Sequence, residues 1–367
     1  MGLNAKKRKK YKINMYLKTI LLFILLLIYI FLYNYKSTLK KKTIGIISVR
    51  NEVNIGNNLV KYAISQKLKE FGFTPYIIAT HWRSYNITFI NKTTNLVVIK
   101  HNFSEINENE YDILMVNSDQ TWNKFDEHFY DYGFLKFAEN WNIPRFAYAA
   151  SYGDYWTLNK KDKKIVKKLL KKFIGISVRE KSGVEILQKN FGVKSIHVLD
   201  PTLLLDSKDY LELIKDYKSN ININENYIFS YIICPTQTIF NIVNEIGAKL
   251  NYNVHFLLLN NNTSIENFIY LISNCKAVIT NSYHGTIFSI IFNKPFITFA
   301  NSKAKRFDSL GEIFNIKSRI ISNYYISDLS LLNKPLNINN TLFKLLKEES
   351  LNFLKNIYKY SYNINDI

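Results

Sequence analysis

Sulfur and histidine are scarce in this chain of 367 residues, which holds two cysteines, three methionines and six histidines. Cys234 and Cys275 permit one disulfide at most, which excludes a Cys-rich zinc site and a disulfide scaffold. None of His81, His101, His128, His197, His255 and His284 stands in an HExxH or comparable pair, so a zinc hydrolase is disfavoured and no metal is expected. There is no GxxxxGK[ST] loop and no GxGxxG after an apolar run, which removes the main support for an ATPase or a simple NAD-dependent enzyme. Acid is missing altogether from the first 42 residues, which hold eleven of the 49 Lys+Arg. Of the net charge of +20, the rest of the chain therefore carries only +9. The basic excess sits at one end, and the abundance of lysine, asparagine, isoleucine and tyrosine is what an AT-rich genome produces, so no nucleic-acid partner is expected. With 47% hydrophobic and 21% charged residues, the bulk of the chain is globular rather than disordered.

What is present begins with a cationic run at 6–12 (KKRKKYK), followed by fifteen uncharged residues at 19–33. Counted from 13 to 35 the apolar stretch reaches twenty-three residues, interrupted by Asn14, Lys18 and Asn34. A membrane-spanning helix needs about 20 apolar residues, and Lys18 can snorkel toward headgroups. A cleaved signal peptide and a surface-bound helix are the alternatives, but YNYKSTLKKK beyond the apolar core offers no A-x-A-like cleavage site. An uncleaved single-pass anchor over about 13–35 is therefore expected. Seven basic residues precede the apolar core and four follow it, a bias that puts the large domain on the lumenal or extracytoplasmic side, with the cytosolic side as the alternative. Asn86, Asn91 and Asn102 match the glycosylation pattern, but so Asn-rich a chain produces such matches by chance.

Beyond residue 42, short apolar runs alternate with helical periodicity, the pattern of βαβ units and a mostly parallel sheet. Strands are expected at 43–49, 75–79, 95–99, 112–116, 146–150, 174–178 and 195–199. A helical stripe over 57–71 uses Leu59, Ala63, Ile64, Leu68 and Phe71 and ends at Gly72. At 160–173, Ile165, Val166, Leu169, Leu170 and Phe173 share one face while eight lysines occupy the rest. That pattern reads as a solvated helix packed on a sheet, with an anionic membrane surface as the alternative. Alternation restarts at 227. The expected organisation is a basic amino terminus and anchor at 1–42, a Rossmann-like domain at 43–207, a linker region at 208–226, a second Rossmann-like domain at 227–330 and a carboxy-terminal helical segment at 331–367. The fold class is α/β, with a cleft between the halves and ligand sites beyond the carboxyl ends of the strands.

Four segments can carry chemistry. In AVITNSYHGTIFSIIF, starting at Ala277, a strand runs through Ser282, Tyr283, His284, Gly285 and Thr286 into an apolar helix. Free amides and the helix dipole favour an anion there, and His284 can carry a proton near neutral pH. A capped helix with a merely packed histidine has the same spacing. In ISVRE, Arg179 at a strand end can hold a phosphate or carboxylate with two hydrogen bonds, or pair with Glu180 on the surface. In NSDQTWN, Asn117, Ser118, Asp119 and Trp122 follow a buried strand and suit sugar hydroxyls and a ring face, or form a plain capped loop. Gly56 and Asn57, at the start of the first helix, are a weaker signal for ligand binding.

Seven segments in order resemble the polysaccharide pyruvyl transferase family: IGNNL from Ile55, DILMVNSDQTWN from Asp112, YAASYG from Tyr148, ISVRE from Ile176, VLDPTLLL from Val198, VITNSYHGTIFS from Val278 and KPF from Lys294. Together they cover roughly residues 43–314. The resemblance implies two Rossmann-like domains in a glycosyltransferase-B-like arrangement. It also implies transfer of a pyruvyl ketal from phosphoenolpyruvate, as co-substrate and with no other cofactor, to hydroxyls of a polysaccharide or glycan, releasing phosphate. Such a donor needs a proton at its methylene carbon and cationic or N–H contacts for its anions. His284 is the expected acid and Asp119 the acceptor-activating carboxylate. Arg179, Ser282, Gly285 and Thr286 are expected at the donor, and Asn117, Ser118, Trp122, Gly56 and Asn57 at the acceptor. Some family members have arginine two residues before the histidine; here that position is Ser282, and Lys305 or Arg306 is the candidate replacement for its charge. The same layout would also serve a nucleotide-sugar glycosyltransferase or a non-catalytic, membrane-tethered glycan-binding protein. Phosphoenolpyruvate is a cytosolic metabolite, so an extracytoplasmic catalytic portion would need its donor transported.

Overall fold

The computed structural model describes residues 18, 20–28, 41–48, 54–80, 97–124, 127–153, 158–219, 226–259, 264–300, 305–322, 324–336, 338 and 340–363. They belong to two units, 1–41 and 42–367. In the first, residues 18 and 20–28 are helical, and the large apolar side chains from Ile20 to Ile28 are each between 45% and 68% exposed. Among the described residues no helix is long and apolar enough to cross a membrane. The expected span over 13–35 thus finds no support in them, although most of it, like the basic run at 6–12 and the sequons at Asn86 and Asn91, lies outside the described residues.

The second unit contains two parallel sheets. The first has seven strands: β1 (Thr43–Ile47), β2 (Thr74–Thr80), β3 (Val97–Lys100), β4 (Ile113–Val116), β5 (Arg145–Ala150), β6 (Gly175–Val178) and β7 (Ile196–His197), in the order β3-β2-β1-β4-β5-β6-β7. The second has five: β8 (Tyr227–Ile232), β9 (Asn253–Leu258), β10 (Ala277–Thr280), β11 (Phe296–Phe299) and β12 (Ile320–Ile321), in the order β12-β11-β10-β8-β9. Central strands such as β1, β4, β8 and β10 are buried on both faces, which is why their sequences are unbroken apolar runs rather than alternating ones.

Helix α1 (Ile55–Glu70) starts at an Asn54 cap whose side chain accepts from the Asn57 amide, and Gly72 follows it at φ +86°, a turn conformation that glycine adopts without strain. Helices α2 (Phe129–Phe134), α3 (Lys160–Leu170), α4 (Lys181–Phe191) and α5 (Ser207–Leu213) complete the first half. Helix α5 lies in the region expected as a linker, where Asp206 and Asp209 form a capping box, a local signal that outweighs the polar composition. The strand expected over 195–199 pairs with β6 through only two residues. In the second half lie α6 (Gln237–Leu250), α7 (Ile265–Asn274), α8 (Tyr283–Ile291), α9 (Lys305–Phe314) and α10 (Asn340–Asn363).

The two faces of the first sheet have separate cores. One gathers Ile47, Ile78, Leu114 and Val116 with Val166, Leu169 and Leu187 from α3 and α4. The other takes the alternate residues Ile46, Ile77, Ile113 and Met115 with Leu59 and Ile64 of α1, and it runs without interruption into Phe229, Phe268 and Phe288 of the second half. Tyr210 bridges the halves, its ring 4.8 Å edge-on to Phe288. Helix α10 returns from the carboxyl terminus to the first sheet. Its Phe353 meets Phe146 edge-on at 6.5 Å, and Ser350 Oγ accepts from the Leu199 amide at 2.9 Å. Leu354, fully buried at this seam, is the side chain to remove: Leu354→Ala is expected to cost about 2–5 kcal/mol, measured by urea unfolding, and to do so while leaving α10 itself helical by circular dichroism.

Candidate active site

In each sheet the strand order reverses beside the first strand of its half, and parallel sheets place ligands in the crevice at such reversals. In the first sheet the reversal lies between β1 and β4, followed by Gly56 and by Asp119; in the second it lies between β8 and β10, followed by Ser282–His284. These two places meet. A Cβ built on Gly56 would lie 2.1 Å from His284 Nδ1, so the backbone of α1 lies directly against the imidazole. Only glycine allows that approach.

Beneath the histidine lies a buried charged cluster. Arg179, at the end of β6, is 2% exposed. Its Nη1 donates to Asp200 Oδ2 at 3.0 Å, its Nε to Glu180 Oε1 at 3.1 Å and its Nη2 to Ser151 Oγ at 3.0 Å. Asp119 Oδ1 lies 3.6 Å from Nη1, and the Tyr283 ring centre is 4.3 Å from the guanidinium carbon. Burial alone would pull the guanidinium pKa down, but Tyr283 and the carboxylates of Glu180, Asp200 and Asp119 hold it well above its ordinary value. Asp200 responds in the opposite sense. Burial would raise it, but the hydrogen bond and charge of His284, then Arg179 and Thr202, hold it well below the usual carboxylate range. Glu180 is dominated by burial and is pushed up, with Arg179, Ser151 and Arg306 offsetting part of the shift.

His284 is 4% exposed, with Nε2 3.5 Å from Asp200 Oδ2, at the limit of a hydrogen bond. The contact sets the edge of the imidazole that carries Nε2 against the Asp200 carboxylate. Ser282 caps α8: its Oγ accepts from the Gly285 amide at 3.2 Å, and its carbonyl takes the Thr286 amide and hydroxyl. The amides of Tyr283 and His284 are left with no acceptor inside the helix.

Two of the seven non-glycine residues with positive φ among the described residues stand beside this cluster. Asp119 has φ +74° and Ala149 φ +48°, both in the left-handed region that costs a non-glycine residue energy. The register of β5 against β6 shifts between Ala147 and Ala150, and the bulge carries Ser151 to Arg179. Asp119 and Ala150 form a bridge, so the loop after β4 is tied to the bulged strand, and its carboxylate is turned toward both Arg179 and Asn57, whose Nδ2 is 3.4 Å from Asp119 Oδ2.

Of the residues expected from sequence, His284, Asp119, Arg179, Ser282, Gly56 and Asn57 are brought together. Several expected roles need correction. Trp122 is fully buried, stacked on Phe134 and hydrogen-bonded to the Gly133 carbonyl, so it presents no face to a sugar. Asn117, Ser118, Gly56 and Asn57 are also buried; Asp119, with 13% of its side chain exposed, is more open than they are. Gly285 and Thr286 give their amides to the Ser282 cap rather than to an anion. All three nitrogens of Arg179 are engaged, so it braces the site before any ligand arrives. Lys305 points to solvent beside Asp308, while Arg306 approaches the Tyr283 ring at 5.9 Å and acts on Glu180. Sequence reading missed Asp200, Ser151 and the structural part of Glu180. The signal for Asp200 was its place before Pro201, beyond a short apolar run; nothing local announced that it faces residue 284.

A cavity of about 490 Å³ is lined by Asn226, Gly247, Ala248, Asn251, Tyr252 and Asn253 at the amino ends of β8 and β9, away from this cluster, with no charged side chain in its lining.

Comparison with known proteins points the same way. The family model described as polysaccharide pyruvyl transferase matches residues 54–303. No curated protein matches the chain in sequence. Among solved structures, MnaA of S. aureus, in a co-structure with UDP, is similar at TM-score 0.57 and 13% identity, covering 89% of this chain and 98% of that one. The UDP-GlcNAc 2-epimerase of Methanocaldococcus jannaschii gives TM-score 0.53 at 13% identity, covering 84% and 99%. The UDP-GlcNAc 2-epimerase of Neisseria meningitidis, bound to UDP-GlcNAc, gives 0.50 at 12% identity, covering 86% and 94%. At such identities the likeness is one of fold: α/β, with two parallel sheets in a glycosyltransferase-B-like layout.

Removing one partner of a buried ion pair leaves the other charge uncompensated. Asp200→Asn is therefore expected to destabilise the protein by about 3–5 kcal/mol at pH 7, measured by chemical denaturation. Because the folded Asp200 pKa is depressed, its contribution is complete above the unfolded value of about 3.9 and is lost as the pH falls below it. The gap between wild type and variant should be constant from neutral pH down to that point and then close.

Proposed function

Because the chain belongs to the polysaccharide pyruvyl transferase family and is a transferase, we propose that it moves a pyruvyl group from phosphoenolpyruvate onto two hydroxyls of a polysaccharide sugar. The observation that carries this reading is the pairing of His284 with Asp200 at the mouth of a buried charged cluster, beside the first turn of α8. His284 donates H⁺ to the methylene carbon of the enol phosphate, which becomes the methyl group. The cation-like C2 that results is captured by the first sugar hydroxyl. Its proton passes to Asp119, a partly buried carboxylate held in place by Asn57 and Arg179. The C2–O–phosphate bond then breaks, and the second hydroxyl attacks C2 to close the ketal. The proton held by Asp119 leaves with the phosphate and that of the second hydroxyl restores His284, so phosphoenolpyruvate and two hydroxyls become ketal and hydrogen phosphate.

The donor's anions fall to Arg306 and to the amides of Tyr283 and His284. Ser282, where some relatives have arginine, caps the helix and carries no charge, so Arg306 takes over that duty. Helix dipole and guanidinium act in a site of low dielectric, where fixed donors count for more than in water. In this reading the segment around residues 20–28, helical and apolar, anchors the enzyme near its polymeric acceptor, and phosphoenolpyruvate reaches the catalytic unit either directly from the cytosol or by transport.

His284→Ala should lower phosphate release from phosphoenolpyruvate, in the presence of galactose- or mannose-type acceptors, by about a hundred- to ten-thousand-fold; release at the wild-type rate would remove the acid role. Gly56→Ala should disturb the same step by moving the ring. A displacement of about 1 Å can cost about a hundredfold in rate, and the expected signature is a fall in kcat together with a loss of about 1–3 kcal/mol in stability from the overpacked contact. The fold similarity to enzymes bound to UDP or UDP-GlcNAc keeps a nucleotide-sugar reaction as the second reading. Turnover of a UDP-sugar with no phosphate release from phosphoenolpyruvate would favour that reading, and glycan binding without turnover of either donor would favour a non-catalytic protein.

A further inference from the structure

We propose that the outer face of α3 is a docking surface for anionic lipid headgroups. Eight lysines fall between 160 and 172: Lys160, Lys161, Lys163, Lys164, Lys167, Lys168, Lys171 and Lys172. All eight are exposed. At 100° per residue they spread over half of the helix circumference, and Asp162, Ile165, Val166, Leu169 and Leu170 fill the other half. That second half is locked down. Val166, Leu169 and Leu170 are at most 1% exposed, packed on the first sheet, so the lysine face cannot rotate inward.

Acid does little to neutralise this face. Asp162 is buried and already holds Lys124 at 2.7 Å and the Tyr130 hydroxyl. Glu139 is bonded to Lys168 at 2.5 Å, and Glu185 of the neighbouring α4 is exposed. The same surroundings add Lys136, whose Nζ lies 5.6 Å from the Tyr130 ring, and Lys181 and Lys189 of α4, both exposed. Lys163 reaches Asn190 at 3.1 Å, which joins α3 to α4 at this edge.

The partner follows from what the face contains and from what it lacks. Helix α3 covers the sheet face opposite to α1 and α10, so the lysines lie away from the candidate active site and do not serve as its substrate groove. They include no arginine fork and no exposed aromatic ring on α3, the features that read planar anions or sugar faces. Compact charges on flexible stems, spread over one side of a helix, suit phosphates dispersed in a plane, and juxtamembrane lysines gain attraction from an anionic leaflet. The chain also carries, at 20–28, nine consecutive large apolar residues, each at least 45% exposed, a segment that matches lipid in kind.

Residue-level footprinting tests the docking separately from any anchoring by the amino-terminal segment. Full-length protein is reconstituted with vesicles of phosphatidylcholine alone or of phosphatidylcholine with phosphatidylglycerol, and lysine acetylation rates are read by mass spectrometry. Lys160–Lys172 should react several-fold more slowly on the phosphatidylglycerol vesicles than on the neutral ones, while Lys215 and Lys334, exposed elsewhere, should not change. The protection should collapse as the Debye length shrinks from about 8 Å to about 3 Å between about 0.15 M and about 1 M salt. Lys161→Glu/Lys164→Glu/Lys171→Glu, surface changes expected to leave phosphate release intact, should abolish the protection of the remaining lysines on vesicles that still carry the protein. Equal reactivity on both vesicle types would overturn the proposal. So would protection by a soluble acidic polysaccharide but not by vesicles, which would assign the face to a glycan.

Discussion

One buried guanidinium holds the candidate active site together. Arg179 draws a strand end (β6), a bulged strand (β5 through Ser151), the segment after β7 (Asp200) and the first turn of α8 (Tyr283) onto one planar group. Guanidinium suits this task because its donors form a fixed fork and its charge cannot be neutralised by deprotonation. Taking so many charges out of water is expensive, and the cost is offset because each nitrogen of Arg179 has an acceptor. The cluster is thus all-or-none: complete, it sets the geometry of four chain segments; missing a member, it leaves a stranded charge.

The chemistry inherits that rigidity. Asp200 is kept ionised by the same neighbours that bury it, and an ionised Asp200 is what gives His284 a partner in a site that excludes water. Gly56 sets the distance between the halves at this point, because α1 can press against the imidazole only where there is no side chain. The strain at Asp119 and Ala149 is a consequence of the same requirement. Both residues stand where the first sheet must deliver a carboxylate and a serine to one place, and ordinary strand geometry would carry them past it.

Much of this was readable from local pattern. Unbroken apolar runs such as TIGII and ILMV are what strands buried on two faces require, and the stripe of Val166, Leu169 and Leu170 against lysines fits one solution, a helix with one dry side. The Ser–x–x–Gly start of α8 and the Asn54 cap of α1 are short-range signals, satisfied within four residues. Where a reading failed, the deciding contact was remote in sequence. Trp122 looked like a sugar platform because it follows a strand in a polar loop, but Phe134 and the Gly133 carbonyl claim it. Asp200 drew no attention because its partners are 21 and 84 residues away in sequence. Helix α5 was hidden by its polar composition, though the Asp206–Asp209 capping box was there to be seen.

The amino-acid sequence by itself determined the α/β class, the parallel strands and the family, because periodicity and short motifs depend on neighbours along the chain. Tertiary structure alone decided which polar residues face each other, that Arg179 is engaged by Ser151, Glu180 and Asp200, that Arg306 and not Lys305 approaches the cluster, and that the last helix packs on the first sheet. Those outcomes depend on distance and dielectric, which are properties of the packed interior and have no counterpart in a string of residues.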